Sequence, residues 1–367
     1  MSRRKKTDPA VALVDLPAIV PDKLRPPFAL ILGTAEEWLP FLHRVKPADA
    51  TCFQMDLFPA EQMRAALEAQ NSNTEIVTAP DLWDLPARFQ TVIYPAPQRG
   101  ERDLKIDMVE QAFHILRPRG NLIVISPHQA DPFFPPLLKK IFGKVHAPAA
   151  GNGAVFWCQR EGDPPRRRHE VTFQVRGYDG SLRFLSRPGV FSYGRLDNGA
   201  RALVECAVVQ PGDRILDLGC GCGTNGIMAA DQAEGECSVT FVDSNLRALA
   251  LAEHNARSNG RKEFATIATC RVEGAGLTAN AFDVALANPP YFAFSAIARL
   301  FVQRSSALLR PGGRFYLVTK QPKEVAPMVV EHFGHTDAIM RRGYTILAAR
   351  RPGGKDMQTE CFRLETE

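Results

Sequence analysis

The two halves of the chain repeat one pattern of strands and turns, and this repeat limits the fold more than any other feature. Phe89–Pro97 and Phe282–Pro290 are apolar runs that end in a proline turn, 193 residues apart. Leu116–Ser126 and Leu309–Thr319 repeat an Arg-Pro-x-Gly turn and the strand after it at the same offset. Any two α/β domains share an order of strand, turn and helix, but repeated matches at a constant offset favour a duplicated unit.

The repeat continues upstream at a slightly smaller offset. Phe28–Gly33 aligns with Arg214–Gly219 at 186 residues, and Asp56 aligns with Asp243 at 187. Each half alternates short apolar runs with helical stretches, which predicts parallel strands joined by crossover helices. The expected fold class is therefore α/β, with one unit present twice.

A boundary between the two halves is visible in the composition. The chain has 367 residues, enough for two domains. Glu161–Arg168 is a cluster of prolines and charges that is typical of a linker. The predicted domains are 1–163 and 169–367, and Val171–Val175 with Leu182–Ser186 is expected to form a hairpin that opens the second domain.

Composition indicates the compartment in which the protein works rather than the reaction that it performs. Hydrophobic residues make up 45% and charged residues 23%, as in soluble globular proteins. No segment approaches the roughly 18 apolar residues of a membrane helix, and the basic N-terminus lacks an apolar signal core. Eight scattered cysteines fit a reducing cytoplasm. The net charge of +5 includes the tail Arg3–Lys6, so it permits an RNA partner without arguing for one.

The strongest local signal is a glycine-rich turn after a strand, within Ile215–Gly226. Gly219, Gly221 and Gly223 allow the backbone to turn tightly and to approach a ligand. Gly221, Gly223 and Gly226 also match the dinucleotide pattern GxGxxG, which is weak evidence alone.

One acid distinguishes this loop from a dinucleotide site. Asp217, at the end of the strand, suits a ligand that carries an ammonium group better than one that presents a pyrophosphate. Asp243 ends the next strand, where an acid commonly binds ribose hydroxyls. Asp243 and Ser244 also precede the predicted helix Asn245–Ala256 as candidate caps.

The second signal is Asn288-Pro-Pro-Tyr291, at the end of the predicted strand Phe282–Ala287. Ligands of open α/β sheets lie beyond such strand ends. The Asn288 amide oxygen and the Pro289 carbonyl can accept the two hydrogens of an NH₂ group, while Tyr291 offers a flat ring for stacking. A plain proline turn would explain this motif alone, but not together with the glycine loop.

These motifs together resemble class I S-adenosylmethionine-dependent methyltransferases that act on exocyclic or amide nitrogens. The resemblance covers roughly residues 190–350. Gly189–Gly199 before the glycine loop, and a degenerate copy of the domain in front, resemble the ribosomal RNA guanine-N(2) methyltransferases, the group of small-subunit methyltransferase C and large-subunit methyltransferase G. This implies two tandem Rossmann-like domains, of which only the second is active.

The resemblance implies S-adenosylmethionine as cofactor and no metal. Catalysis is assigned to Asn288, Pro289, Pro290 and Tyr291. Cofactor binding is assigned to Asp217, Gly219, Gly221, Gly223, Asp243, Ser244, Glu273 and Asn288. Direct transfer from an activated sulfonium requires positioning rather than a strong base, so His254 is expected to be an ordinary surface residue, and Cys220 and Cys222 are expected to be packing residues.

The first half lacks the residues that would bind the cofactor. With the alignment above, Ile31 stands opposite Asp217, and Pro95 stands opposite Asn288. The residues opposite Gly221 and Gly223 are Ala35 and Glu37. Residues 1–160 are therefore expected to bind no cofactor and to serve as a scaffold or an RNA platform.

The motif leaves the substrate open between several classes. The guanine group usually has Asn-Pro-Pro-Phe followed by His, whereas this chain has Tyr291 and Phe292. Asn-Pro-Pro-Tyr also resembles protein-glutamine and adenine methyltransferases. The leading hypothesis is an rRNA guanine-N(2) methyltransferase; the alternatives are a protein-glutamine methyltransferase and an inactive RNA-binding module.

The expected partner is ribosomal RNA or a ribosomal subunit, and the chain is expected to be a monomer. Three basic segments are candidate phosphate contacts: Arg3–Lys6, Arg166–Arg168 and Arg341–Arg342. Such segments are more often simply solvated.

Overall fold

The protein divides into two units, Met1–His169 and Glu170–Glu367. They are called here the amino-terminal and carboxy-terminal units. The structure is a computed structural model, and it describes residues 14–70, 72–97, 100–151, 153–163, 166–178, 180–234, 236–271, 276–290 and 294–353.

The amino-terminal unit is built on one sheet. Its strands are β1 Phe28–Ile31, β2 Ala50–Gln54, β3 Glu75–Thr78, β4 Phe89–Pro95, β5 Leu116–Ser126 and β6 Ala154–Gln159. Among the described residues the strand order is β3-β2-β1-β4-β5-β6. Of the strands described in this sheet, only β6 runs antiparallel to its neighbour.

Helices connect these strands as the parallel topology requires. They are α1 Leu16–Ile19, α2 Ala35–Val45, α3 Leu57–Glu68, α4 Arg102–Ile115 and α5 Phe134–Phe142. Two short 3₁₀ turns lie at Pro21–Lys23 and Leu82–Asp84.

The carboxy-terminal unit begins with the expected hairpin, β7 Val171–Arg176 and β8 Ser181–Ser186. Its main sheet follows. The strands are β9 Arg214–Leu218, β10 Ser238–Asp243, β11 Phe264–Ala268, β12 Phe282–Ala287, β13 Leu309–Thr319, β14 Asp337–Arg341 and β15 Tyr344–Arg350. In the described part of the unit they are ordered β11-β10-β9-β12-β13-β15-β14, with β15 antiparallel.

The helices of this unit again link parallel strands. They are α6 Asn198–Cys206, α7 Thr224–Gln232, α8 Leu246–Ser258, α9 Phe294–Leu308 and α10 Pro322–Phe333. No helix in the described ranges is both long and apolar enough to cross a bilayer.

Burial explains why these runs form strands. The central strands β1 and β2 are buried along their whole length, as expected for a parallel sheet covered on both faces. Apolar clusters lie on each side of both sheets. The α/β prediction is confirmed by these sheets.

The two sheets repeat the same plan. The strands β4 and β12 both pair with the first strand of their main sheet, β1 and β9, and β5 and β13 have the same length at an offset of 193 residues. The strand β14 has no counterpart among the described residues of the first unit. A single antiparallel bridge between His146 and Trp157 stands at the corresponding place.

Strand pairing corrects the alignment of the first strands. Ile93 pairs with Leu30, and Leu286, its counterpart at the offset of 193, pairs with Asp217. The residue opposite Asp217 is therefore Leu30, and the prediction of Ile31 was wrong by one position. Sequence similarity alone misplaced it because the apolar residues of a buried strand are nearly interchangeable.

The same register shows that the first turn is shorter in the amino-terminal unit. Leu32, at φ 56°, takes the place of Gly219, at φ 67°. One residue separates Leu32 from the helix cap Thr34, whereas three separate Gly219 from the cap Gly223. Two loop residues are therefore missing. Gly221 has no counterpart, and the predicted matches with Ala35 and Glu37, which lie inside α2, were wrong.

The second strand requires a similar correction. The strand β2 ends at Gln54 and β10 ends at Asp243, and each is followed two residues later by a helix cap. Gln54 is thus the counterpart of Asp243. Asp56 corresponds to the cap Asn245, and its predicted match with Asp243 was wrong.

Candidate active site

The glycine loop follows β9 and leads into α7. Gly219, Gly221 and Gly223 have φ values of 67°, 55° and 84°, a region that L residues with side chains seldom adopt. Gly223 is the N-cap of α7. A Cβ at Gly221 would meet no atom within 4 Å, so this residue leaves open space for a ligand.

Gly226 has a different role, although it completes the GxGxxG pattern. A Cβ there would lie 2.7 Å from Val239 Cγ1 and 2.8 Å from Phe241 Cε1. Its lack of a side chain lets α7 pack closely against β10. The third glycine of the pattern is therefore explained by packing of a helix on a sheet.

Asp217 lies beneath the loop and is completely buried. Its Oδ2 accepts a hydrogen bond from the Gly226 amide at 2.9 Å. Burial raises the pKa of Asp217 to about 7, against the opposing effect of that hydrogen bond. Its Oδ1 has no partner among the described residues. The assignment of Asp217 to an ammonium group stays a prediction.

Asp243 links the glycine loop to the next helix. Its Oδ2 accepts from the Gly221 amide and its Oδ1 from the Asn245 amide, both at 2.9 Å. The cap of α8 is Asn245, whose side chain accepts from Arg247 and Ala248. The prediction that Asp243 or Ser244 caps this helix was wrong, because Asp243 still belongs to the strand.

Asn288 follows β12, where the sequence predicted an acceptor for an amine. Its Nδ2 donates to Asp197 Oδ2 at 3.3 Å. A carboxylate oxygen can only accept, so this contact fixes which end of the amide is nitrogen. The Oδ1 atom is buried and has no partner in the described part of the chain.

Asp197 is a site residue that the sequence reasoning did not single out. It is the N-cap of α6, and its Oδ2 also accepts from the Ala200 amide at 2.8 Å. It lies 91 residues before Asn288. The only available signal was its position in Gly189–Gly199, the segment that resembled the methyltransferase group.

The segment before Asp197 is anchored to the start of α8. Asn245 Nδ2 donates to the Gly189 carbonyl at 3.0 Å. The fully buried Arg247 donates to the Pro188 carbonyl at 2.6 Å. The helix that follows Asp243 therefore also holds the segment that reaches Asn288.

A pocket joins these elements on the carboxyl side of the sheet. It contains the backbone of the glycine loop, the start of α7, the anchored segment and Asn288. Its lining residues are Phe191, Ser192, Arg195, Asp197, Ala200, Gly219, Cys220, Gly221, Cys222, Thr224, Asn225 and Asn288.

The structure brings only some of the predicted residues to this pocket. Gly219, Gly221 and Asn288 line it. Asp217 lies under the loop. Gly223, Asp243, Ser244, Pro289 and Pro290 are described but are not among the lining residues. Glu273 and Tyr291 lie outside the described residues, as does the tail Arg3–Lys6.

The cysteines of the loop are buried thiols. Burial raises the pKa of Cys222 to about 12 and raises the pKa of Cys220 well above its usual value, so both stay protonated and are poor nucleophiles. Across the described residues, no three His, Cys, Asp or Glu side chains converge as metal ligands. His254 lies exposed on α8, as expected.

The pocket offers hydrogen-bond acceptors and a helix N-terminus to a ligand. In or beneath this pocket, three buried oxygens have no partner within the described ranges: Oδ1 of Asp217, Oδ1 of Asn225 and Oδ1 of Asn288. Buried acceptors of this kind normally find a donor. The N-terminus of α7 adds a partial positive charge beside them.

The sheet order and the placement of the pocket define a Rossmann-like methyltransferase domain. Residues 181–348 match the family model described as methyltransferase small domain. The ribosomal RNA small subunit methyltransferase C of Shewanella halifaxensis is 30% identical over 262 residues, which cover 68% of this chain and 73% of that protein. The chain belongs to the ribosomal RNA small subunit methyltransferase C family, as the sequence resemblance predicted.

Several other relatives align over less of their length. The protein of the same name from Pseudomonas paraeruginosa is 32% identical over 182 residues, 47% of this chain and 52% of its own length. The chain thus spans about half of this relative. The solved T. thermophilus 16S rRNA N2 G1207 methyltransferase, in complex with AdoMet and guanosine, superposes with a TM-score of 0.72 at 23% identity. The match covers 95% of this chain and 93% of that one, which confirms the tandem fold.

Proposed function

We propose that the carboxy-terminal unit transfers a methyl group from S-adenosylmethionine to the 2-amino group of a guanine in ribosomal RNA. The observation that carries this proposal is the Asn288 amide, whose Nδ2 is bound to Asp197 while its Oδ1 is left without a partner among the described residues. An amide held in this way offers an acceptor to a substrate amine. Membership of the methyltransferase family supplies the reaction class.

Different residues of the site would bind different parts of the cofactor. The open space at Gly221 and the buried oxygens of Asp217 and Asn225 would hold the methionine end of the cofactor. Asp243, at the end of β10, would bind ribose hydroxyls. When bound, S-adenosylmethionine supplies an activated methyl group on a sulfonium.

Asn288 would act on the amine that receives the methyl group. Its Oδ1 and the Pro289 carbonyl accept the two N–H hydrogens. These hydrogen bonds favour a tetrahedral nitrogen, whose lone pair is less delocalised into the aromatic ring. These acceptors also stabilise the positive charge that develops on nitrogen as the bond to carbon forms. The proton then leaves to solvent, because the methylated aromatic ammonium is strongly acidic.

Membership of the family, rather than the Asn-Pro-Pro-Tyr motif, favours a guanine in ribosomal RNA over the other candidate amines. The relatives are named as ribosomal RNA methyltransferases, and the solved neighbour is named for N2 of a guanine. The duplicated front half also differs from the small helical domain expected in protein-glutamine methyltransferases. The target base must be unpaired or flipped out to reach Asn288.

Labelled cofactor tests this proposal directly. The protein is incubated with methyl-labelled S-adenosylmethionine and either small subunits, large subunits, naked rRNA or release factors, and the RNA is digested to nucleosides. We expect label in N2-methylguanosine from rRNA. Label in release factor would establish the protein-glutamine activity instead, and label in N6-methyladenosine would reassign the base. No label, with no cofactor binding by calorimetry, would leave an RNA-binding module.

We also propose that the amino-terminal unit binds no cofactor. Its first turn lacks two residues, and a Cβ at Gly33 would lie 2.1 Å from Trp38 Nε1, so a buried indole fills the space beneath the loop. This unit would serve as a scaffold or an RNA platform. Arg166–Arg168 and Arg341–Arg342 stay candidate phosphate contacts, although Arg341 and Arg342 already pair with Glu205.

The setting of the reaction is part of the same proposal. We expect a monomer in the cytoplasm. The described cysteines are all free thiols, which fits a reducing compartment. Sedimentation of the purified protein would test the oligomeric state.

A further inference from the structure

One oxygen atom of Asp197 makes two contacts that belong to different parts of the molecule. Its Oδ2 accepts from the Ala200 amide at 2.8 Å, which caps α6. The same Oδ2 accepts from Asn288 Nδ2 at 3.3 Å. Asp197 therefore ties the start of a helix to the amide at the end of β12.

The second contact determines what Asn288 presents to a ligand. An asparagine amide has a donor end and an acceptor end, and rotation by 180° about its last bond exchanges them at little cost. Because Asp197 can only accept, it binds the Nδ2 end. The free end of the amide is then the acceptor Oδ1, which has no partner in the described part of the chain.

Hydrogen bonds upstream of Asp197 and burial downstream of it hold the chain on both sides of this residue. The preceding segment is held by Asn245 and Arg247 through the Gly189 and Pro188 carbonyls. The following residues are the first turn of α6, whose Ala200, Ala202 and Leu203 are buried. Both sides of Asp197 are therefore anchored.

We infer that Asp197 is a positioning residue that sets the orientation of the Asn288 amide, so that the site offers an acceptor to an amine and discriminates against a substrate oxygen. It acts through Asn288 and does not itself contact the reacting atoms. A hydrogen bond from Nδ2 to a carboxylate also polarises the amide and makes Oδ1 a stronger acceptor. The identity of the amine rests on the proposed function; the orientation of the amide does not.

Two substitutions of Asp197 separate its two contacts. Both keep the hydrogen bond that caps α6, but only one of them keeps the contact with Asn288. Asparagine and serine are both good N-cap residues. In Asp197→Asn the side-chain oxygen still reaches both Ala200 and Asn288. In Asp197→Ser the shorter hydroxyl still caps α6, but it no longer reaches Asn288.

The kinetic expectation follows from this difference. Asp197→Ser is expected to lower kcat for rRNA methylation by about 10-fold or more, with KM for S-adenosylmethionine unchanged. Asp197→Asn is expected to lose clearly less. Thermal unfolding midpoints of the two variants should agree, since both retain the cap. Equal kcat values in the two variants would refute the positioning role.

A second measurement reads the amide without any turnover. The side-chain ¹⁵N–¹H₂ signal of Asn288 is identified by its loss in Asn288→Ala. We expect this signal to shift only slightly in Asp197→Asn, where a neutral oxygen replaces the carboxylate, and to shift more and to exchange faster with solvent in Asp197→Ser. An unchanged signal in Asp197→Ser would overturn the inference even if activity fell.

Two further outcomes are distinguishable. A raised KM for S-adenosylmethionine in both variants would make Asp197 a cofactor ligand and would also overturn the inference. Failure of the unaltered protein to methylate rRNA would refute the proposed function alone, because the amide signal would still report whether Asp197 orients Asn288.

Discussion

In the amino-terminal unit, Gln54 Nε2 donates a hydrogen bond of 2.6 Å to the carbonyl oxygen of Gly33. At the corresponding place in the carboxy-terminal unit, Asp243 accepts from the amide of Gly221. The strand and the turn are linked in both units, but a neutral donor has replaced a carboxylate acceptor. A contact closes the turn in both units, but Gln54 offers no carboxylate to ribose hydroxyls.

This difference predicts one cofactor molecule per chain. In isothermal titration calorimetry, S-adenosylmethionine should bind with a stoichiometry of one. Asp243→Asn should raise Kd by about 10-fold or more, because it removes a charged acceptor. Gln54→Ala is the matched control and should leave Kd unchanged. Binding of two equivalents would show that the amino-terminal unit has retained a site.

Asn288→Ala should abolish most methyl transfer while cofactor binding stays within about 3-fold of the unaltered protein. Loss of one preorganised group that stabilises developing charge typically lowers kcat by about 100-fold or more. The rate is measured with rRNA at saturating S-adenosylmethionine, and Kd by calorimetry. The exposed Asn73→Ala serves as control. Full activity in Asn288→Ala would remove this residue from the mechanism.

The buried carboxyl of Asp217 predicts a specific pH dependence of stability. Its pKa is about 7 when folded and about 3.9 in an unfolded chain. The folded state therefore binds the proton more tightly, and this group makes the protein less stable as pH rises from about 4 to 7. Asp217→Asn keeps the oxygen that accepts from Gly226 and does not ionise.

The comparison is made by thermal unfolding at pH 4, 5.5 and 8. The midpoint of Asp217→Asn relative to that of the unaltered protein should increase from pH 4 to pH 8. A constant difference would mean that Asp217 titrates at its ordinary pKa in the fold. Calorimetry on the same variant tests whether the charged form is needed for the ammonium group of the cofactor.

A matched pair of glycine substitutions tests separately what each unit contributes to cofactor binding. In Gly33→Ala the new Cβ would lie 2.1 Å from the Trp38 indole, and in Gly226→Ala it would lie 2.7 Å from Val239. Each variant should destabilise its own unit by about 1–3 kcal/mol through overpacking. Only Gly226→Ala should also weaken cofactor binding, because it displaces the glycine loop. If both variants weakened cofactor binding equally, the proposal that the amino-terminal unit binds no cofactor would be contradicted.

Sequence patterns predicted the features that depend on local physics. The parallel strands, the hairpin, the glycine loop and the position of Asn288 follow from apolar runs, turn residues and the repeat. Asp197 did not follow, because a contact between residues 91 positions apart leaves no local pattern. Strand register decided between Leu30 and Ile31, and register depends on hydrogen bonding to neighbouring strands, which two adjacent apolar residues do not reveal.

The cap of α8 shows the same limit of prediction from local sequence. Asp243, Ser244 and Asn245 are all good capping residues, and they follow one another. Only the point at which β10 ends selects Asn245. Tertiary structure therefore made choices between candidates that local preference ranks almost equally.

The two-residue difference between the first turns of the two units has a consequence for the history of the molecule. A substituted residue can revert by a single change, whereas missing loop residues return only by an insertion of the correct length. The Trp38 indole now occupies the space beside Gly33, so such an insertion would also require a second change in the core. If the amino-terminal unit binds no cofactor, as we propose, point substitutions alone would therefore not restore a binding site there.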